Sequence, residues 1–246
     1  MKILVCISSV PDTTSKITFS DGDTKFNTDG VQWILNPYDE WYALVRALEL
    51  KEASGGNVTV INVGGPDNDA IIRKALAVGA DDAIRVNSNV TEPFQVASQI
   101  ANAAKDGGYD IIFTGKETIN YNGSNIGGMV AELLDMAFVS YASKLEMSGN
   151  TATIERDIEG GKEVVEVKTP FVVSASKGLA EQRIPNMKGI MMAKRKPLNV
   201  VEEVPSEARR AIQKYILPAP KAAVKLISPD NVEELVDLLH NEAKMI

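Results

Sequence analysis

Four short apolar runs constrain the fold of this 246-residue chain most: ILVCI at 3–7, VTVINV at 58–63, AIRV at 83–86 and IIF at 111–113. Each is nearly continuous instead of strictly alternating, as expected for strands covered on both faces. Helical spacing fills the intervals between them. Residues 39–53 place Leu44, Ala47, Leu48 and Leu50 at helical intervals, and residues 68–78 repeat the pattern with Asp67 or Asp69 as the candidate N-cap. Residues 93–105 and 124–134 supply two more helices. Strands alternating with helices require right-handed crossovers, which predicts an α/β fold with a doubly wound, mostly parallel, Rossmann-like sheet.

Beyond Phe138 the pattern changes. Segments 142–147, 151–157 and 162–168 lie close together, separated by SGN and EGG turns, and predict an antiparallel hairpin insertion. Residues 171–175 read as one more buried strand. After Pro197 come scattered prolines, few apolar residues between Glu202 and Lys214, and a short amphipathic helix over 229–243. The division expected is an α/β domain over 1–196 and a C-terminal arm over 197–246, which needs a surface to lie against.

Several function classes drop out. A net charge of −7 and a pI near 4.9 argue against a general nucleic-acid binder. The single cysteine, Cys6, excludes an intrachain disulfide and suits a reducing compartment. No apolar run approaches the roughly 20 residues that span a bilayer, and the start MKILVCISSVPD is too short in apolar length for a signal peptide. A cytoplasmic protein is the expectation.

Ligands of open α/β sheets sit beyond the carboxyl ends of the strands. Three polar loops fall there: 8–12, 62–66, and the long KETINYNGSNIGGM after the strand IIFTG. Gly123, Gly127 and Gly128 let backbone approach a ligand, while Ser124 and Asn125 lie near a helix N-terminus that favours phosphate. The loop has no Walker lysine and no G-x-G-x-x-G, so a plain turn with an N-cap stays open. Asn36-Pro37-Tyr38-Asp39 forms either a second wall of that pocket or an ordinary Asn-Pro turn with Asp39 as N-cap. Acids 81–82 and 202–203 read as solvated or capping. One Cys and one His, His240, cannot build a thiol–histidine dyad or a Cys/His zinc site, and no metal site is expected. With no nucleophile–base pair in view, a carrier or binding protein is favoured over an enzyme.

The segment 183–197, RIPNMKGIMMAKRKP, holds three of the eight methionines and five basic residues, with no acid between Gln182 and Val201. Pro185 and Gly189 interrupt regular structure across its first half, and Pro197 ends it. Methionine suits adaptable docking surfaces and equally fills irregular gaps at a core edge, so both readings stand.

MKILVCISSVPDT, DGVQWILNPYDEWYALVRALELKE, RKALAVGADDAIRV, TGKETI and RIPNMKGIMMAKRK, in this order and spacing, make the chain resemble the beta subunit of electron transfer flavoproteins over most of its length. Nitrogen-fixation-associated electron transfer subunits share that superfamily. The resemblance implies a heterodimer in which an alpha subunit carries the redox-active FAD and passes electrons from flavin-dependent dehydrogenases, such as acyl-CoA dehydrogenases, towards a quinone-linked acceptor. It implies one structural AMP in this subunit, contacted by Cys6, Asn36, Pro37, Tyr38, Asp39, Val63, Asn120, Tyr121, Asn122, Gly123, Ser124, Asn125, Ile126, Gly127, Gly128, Met129 and Val130. The family's recognition loop falls on 183–196, with Met187 at its anchor position and Lys194, Arg195 and Lys196 as partner-facing charges. Its alpha-tethering acid falls on Asp157, an Asp where the family has Glu. The resemblance further implies that Tyr38 is the aromatic approaching the alpha-bound flavin, with Thr13 at the other aromatic position. The run from Asn120 to Asn125 carries amides where family members have acids and lacks the D-G-D-T of bifurcating members, which favours AMP over a second FAD. A bifurcating subunit and a stand-alone adenine-nucleotide sensor are the alternatives.

Overall fold

The computed structural model describes residues 1–221 and 223–246. The chain opens with β1 (Lys2–Cys6), whose period-2 side chains divide between two cores. Ile3 and Val5 face one cluster and Leu4 and Cys6 the other. An excursion follows, made of β2 (Ser9–Pro11), β3 (Phe19–Ser20), β4 (Lys25–Phe26) and β5 (Trp33–Leu35), paired as the small antiparallel ribbons β2–β5 and β3–β4.

Helix α1 (Asp39–Ser54) carries Asp39 and Glu40 in its first turn and Lys51 in its last, complementing the dipole, and it ends at Gly55 with φ +73. Then come β6 (Asn57–Val63), α2 (Asp69–Val78), β7 (Asp82–Asn87), α3 (Pro93–Ala104), β8 (Ile111–Gly115) and α4 (Ile126–Leu133). A 3-10 turn at Pro66–Asn68 leads into α2, and Asn68, not an aspartate, occupies its N-cap, its amide donating to Asn62 Oδ1 instead of capping the helix. The chain closes with β9 (Ala137–Ser148), β10 (Thr151–Ile158), β11 (Gly161–Lys168), β12 (Phe171–Ala175), α5 (Met187–Ala193), β13 (Leu198–Glu202) and α6 (Val232–Asp237).

All but four of these strands form one sheet in the order β11-β10-β9-β12-β8-β1-β6-β7-β13. From β9 to β13 every neighbouring pair is parallel, while β9–β10–β11 is an antiparallel extension of one edge. Helices α1 and α2 cover one face, burying Leu44, Leu48, Ile72 and Leu76, and α3 and α4 cover the other with Ile100 and Val130. The doubly wound sheet and its hairpin insertion are as the sequence predicts. The edge strand β13 is not: it pairs in parallel with β7, so the sheet takes 198–202 from the segment assigned to the arm.

The arm does lie against this chain for part of its length. Val204 exchanges two hydrogen bonds with the Gln99 side chain, each 2.8 Å. Gln95 Nε2 donates to Ser206 O at 3.0 Å, Arg210 reaches Glu92 at 3.4 Å, and the Arg209 guanidinium lies 4.8 Å from the Phe94 ring centre. Tyr215 then stacks on Phe19, with ring centres 4.6 Å apart and planes at 10°, and its N–H donates to Asp23 O. Farther on, Ile216, Val224 and Leu226 are almost fully exposed. Among the described residues no helix is long and apolar enough to cross a membrane.

Candidate functional site

Strand order reverses around β1: the chain builds β6 and β7 on one side of it and β8 and β12 on the other. A crevice therefore opens beyond the carboxyl ends of β1 and β8, the usual position for a ligand in such sheets. The Asn-Pro-Tyr-Asp-Glu segment is wedged into this opening. Asn36 is fully buried: its N–H donates to Ser8 O at 3.1 Å, its Nδ2 to Glu117 O at 3.2 Å, and its Oδ1 accepts from Ile119 N at 3.2 Å. It ties the loop after β1 to the loop after β8, a role that a simple Asn-Pro turn would not require.

Asp39 and Glu40 repeat that division. Asp39 accepts from Glu117 N at 3.3 Å, and burial raises its pKa, with Lys116 opposing. Glu40 accepts from Ser8 N at 2.6 Å and from Ser8 Oγ at 2.7 Å. Burial lifts its carboxyl to about 8 against those two bonds. Gly115 makes room for it, since a Cβ there would meet Glu40 Cγ at 2.8 Å. Burial, reinforced by Glu40, also pushes the Cys6 thiol upward, so Cys6 behaves as an inert apolar contact on the α3–α4 face.

In the long loop, Asn122 and Ser124 adopt left-handed φ values of 47° and 50°, on either side of Gly123. Asn tolerates this region, but Ser does so at a cost of about 1 kcal/mol or more. Asn125 occupies the N-cap of α4 without donating or accepting a capping side-chain bond, so no side chain closes that helix start. Beneath it lies the Thr114 hydroxyl, buried and without a hydrogen-bond partner. Gly127 is obligatory for this packing, because its Cβ would meet Thr114 Oγ1 at 2.7 Å and Phe138 Cε2 at 2.8 Å. Ile126, Gly127, Gly128, Met129 and Val130 thus form the first turns of α4, and Asn120 and Tyr121 the loop leading to it. Val63 ends β6, where Gly64 N donates to Val86 O and buried Asn62 donates to Ile7 O. A cleft of about 240 Å³ opens between Tyr38, Asp39, Tyr42, Lys116, Glu117, Ile119, Asn122 and Lys177.

The segment 183–196 forms a separate surface. Its beginning is held by Arg183, paired with Glu52 at 2.6 and 3.0 Å, by the Arg183 carbonyl accepting from Trp41 Nε1, and by Gln182 donating to Pro37 O. Its end is held by Arg73, which donates to the carbonyls of Ala193 and Lys196 at 2.8 and 2.6 Å. Between these clamps the prolines and glycine do not prevent helix α5: Asn186 caps it through Gly189 N at 2.8 Å. Gly189 sits so close to α2 that a Cβ would strike Ala77 O.

Met187, Met191 and Met192 all point into solvent, so they fill no gap. Ile184, not singled out by its sequence context, is more exposed still, at 91% against 74% for Met187. Lys194 and Arg195 are exposed, but Lys196 turns inward and donates to the Leu76 carbonyl at 2.9 Å and to that of Ala80. Burial lowers its pKa. In this position it caps the C-terminal end of α2. Asp157 stands apart on β10, exposed near the hairpin tip opposite Lys162.

The family model described as the electron transfer flavoprotein domain matches residues 23–206. A Bacillus subtilis protein named electron transfer flavoprotein subunit beta is 37% identical over 260 aligned positions, covering the whole of both chains. Its namesake from Syntrophomonas wolfei is 37% identical over 226 positions, 91% of this chain and 88% of its own. The acryloyl-CoA reductase electron transfer subunit gamma of Anaerotignum propionicum is 31% identical over 209 positions, 82% and 78% of the two chains.

Proposed function

Because the chain belongs to the electron transfer flavoprotein family as a beta-type subunit, we propose that it pairs with an alpha-type subunit, buttresses that subunit's FAD, and holds one AMP in its own crevice. The observation that carries the nucleotide reading is the open start of α4 above the unpartnered Thr114 hydroxyl. Free N–H groups at a helix start suit a phosphate. The Asn36–Asp39 wedge and the Gly123 loop supply walls for a base and sugar, and no side chain in the crevice needs to react. FAD bound by the partner supplies the electron storage; this chain's residues position and exclude water.

The exposed rim of 183–196 serves as the dehydrogenase-docking loop, in the reducing interior of the cell. Its plug is the pair Ile184 and Met187, Lys194 and Arg195 flank it, and Asp157 faces the flavin-bearing domain of the alpha-type subunit. The name of the Anaerotignum propionicum relative ties that protein to an acyl-CoA enzyme, which supports acyl-CoA dehydrogenases as the partner class here.

Co-purification with the alpha-type chain encoded alongside, followed by counting bound groups, tests this reading. One FAD and one AMP per heterodimer are expected. Two FAD and no AMP would replace it with the bifurcating alternative, and a stable monomer preferring ATP would replace it with a sensor.

A further inference from the structure

We propose that Tyr215, carried by the arm, is a positioning residue for the nucleotide loop: it clamps Tyr121 from outside the sheet and slows the escape of whatever the loop covers. Its second half rests on the AMP reading above.

The loop needs an external hold. The two non-glycine residues flanking Gly123 lie in the left-handed region, and a Cβ at Gly123 would meet only the Asn125 side chain, at 3.5 Å or more. Strained backbone of this kind persists only where neighbours over-determine it. Internal ties are few: Asn122 N donates to Thr118 O, and Ser124 Oγ reaches Glu117 at 3.4 Å. The remaining tie comes from 94 residues away in sequence, where the Tyr121 and Tyr215 hydroxyls meet at 3.1 Å. Burial together with that bond raises the Tyr121 phenol to about 12.

Tyr215 is itself fixed in three directions. Its ring stacks on Phe19, its N–H donates to Asp23 O at 2.8 Å, and the adjacent Lys214 approaches Asp23 at 3.6 Å. Upstream, Gln99 and Gln95 hold the arm's backbone along α3. The arm therefore joins the β3–β4 ribbon and the crevice loop into one assembly, with the tyrosine pair as its contact with the crevice. Polar side chains that bond each other across elements in this way fix position more than they add stability.

The test uses the heterodimer purified with its alpha-type chain, comparing wild type with Tyr215→Phe, Tyr215→Ala and Tyr121→Phe. Amide hydrogen exchange is read over 120–125, and release of isotope-labelled AMP is followed after a chase with unlabelled AMP. Tyr215→Ala loses the stack and the hydroxyl pair, and both rates rise roughly tenfold. Tyr215→Phe keeps the stack, and Tyr121→Phe removes the same hydroxyl bond from the other side, so each gives about threefold. FAD content and exchange in β1 and β8 stay at wild-type values in all three. Unchanged exchange over 120–125 in Tyr215→Ala overturns the clamp. Faster exchange over 120–125 in Tyr215→Ala, with no AMP found in the wild-type complex, supports the clamp and defeats the nucleotide reading alone. Faster exchange with AMP release unaltered refutes the role in retention.

Discussion

Glu40 offers a prediction whose size follows from its surroundings. Glu40 is 5% exposed, and its carboxyl lies beside Asp39 and Cys6. Among the described residues its hydrogen bonds are the two from Ser8. Burial dominates and lifts the pKa from 4.5 to about 8. A carboxyl raised in the folded state binds its proton more tightly there than in the unfolded chain, so its stabilising contribution is complete below pH 4.5 and is lost as pH rises through 8. From pH 6 to pH 8, at about 1.4 kcal/mol per unit while the group stays protonated and half that at its midpoint, the loss is on the order of 2 kcal/mol. Glu40→Gln is the neutral counterpart of the protonated group, and its amide keeps both contacts by accepting from Ser8 N and donating to Ser8 Oγ. Chemical unfolding of the purified complex at pH 6, 7 and 8 gives the assay. The variant should track wild type at pH 6 and overtake it by pH 8, because Asp39 and the other carboxylates titrate alike in both proteins. Parallel curves for the two proteins across that window would refute the assignment of a protonated Glu40.

Two further substitutions test the packing around the sites. Gly127→Ala brings a methyl against Thr114 Oγ1 and the Phe138 ring, so it should cost about 1–3 kcal/mol in unfolding experiments and displace the start of α4, with bound nucleotide lost before the fold is. Lys196→Ala removes the bonds to Leu76 and Ala80 carbonyls; a loss of about 1–3 kcal/mol is expected, with dehydrogenase turnover unaltered, and the reverse pattern would return Lys196 to the docking surface.

The parallel core was legible because strands buried on both faces must be apolar nearly throughout, which 3–7, 58–63 and 111–113 are. The edge strand β13 was not, because LNVVE lies mostly exposed and carries no such imprint. Helix α5 was hidden by Pro185 and Gly189: the proline falls outside the helix and the glycine marks a close approach to Ala77 that only the tertiary fold creates. The crevice loops announced themselves through glycine and position at strand ends. Thr114 did not, since one hydroxyl at the end of an apolar strand has no pattern until a helix is laid over it. Glu40 carries no distinguishing pattern in the sequence, since its surroundings come from Ser8 and Gly115, far away along the chain. Lys196 joined a run of three basic residues that looks solvated as a group, yet its aliphatic stem let it alone fold back onto α2.

The arm's attachment along α3 also changes what association must accomplish. Between 204 and 215 the chain is already held at Val204 and Ser206 by Gln99 and Gln95, and at Tyr215 by its stack and its bond to Asp23. Ordering about a dozen free residues would cost on the order of 1–2 kcal/mol each. Part of that entropy is surrendered during folding of the chain itself, which leaves chiefly the distal half, with exposed Ile216, Val224 and Leu226, still to be ordered. A segment with the look of a loose tail is in this sense preorganised, its point of departure aimed before any encounter takes place.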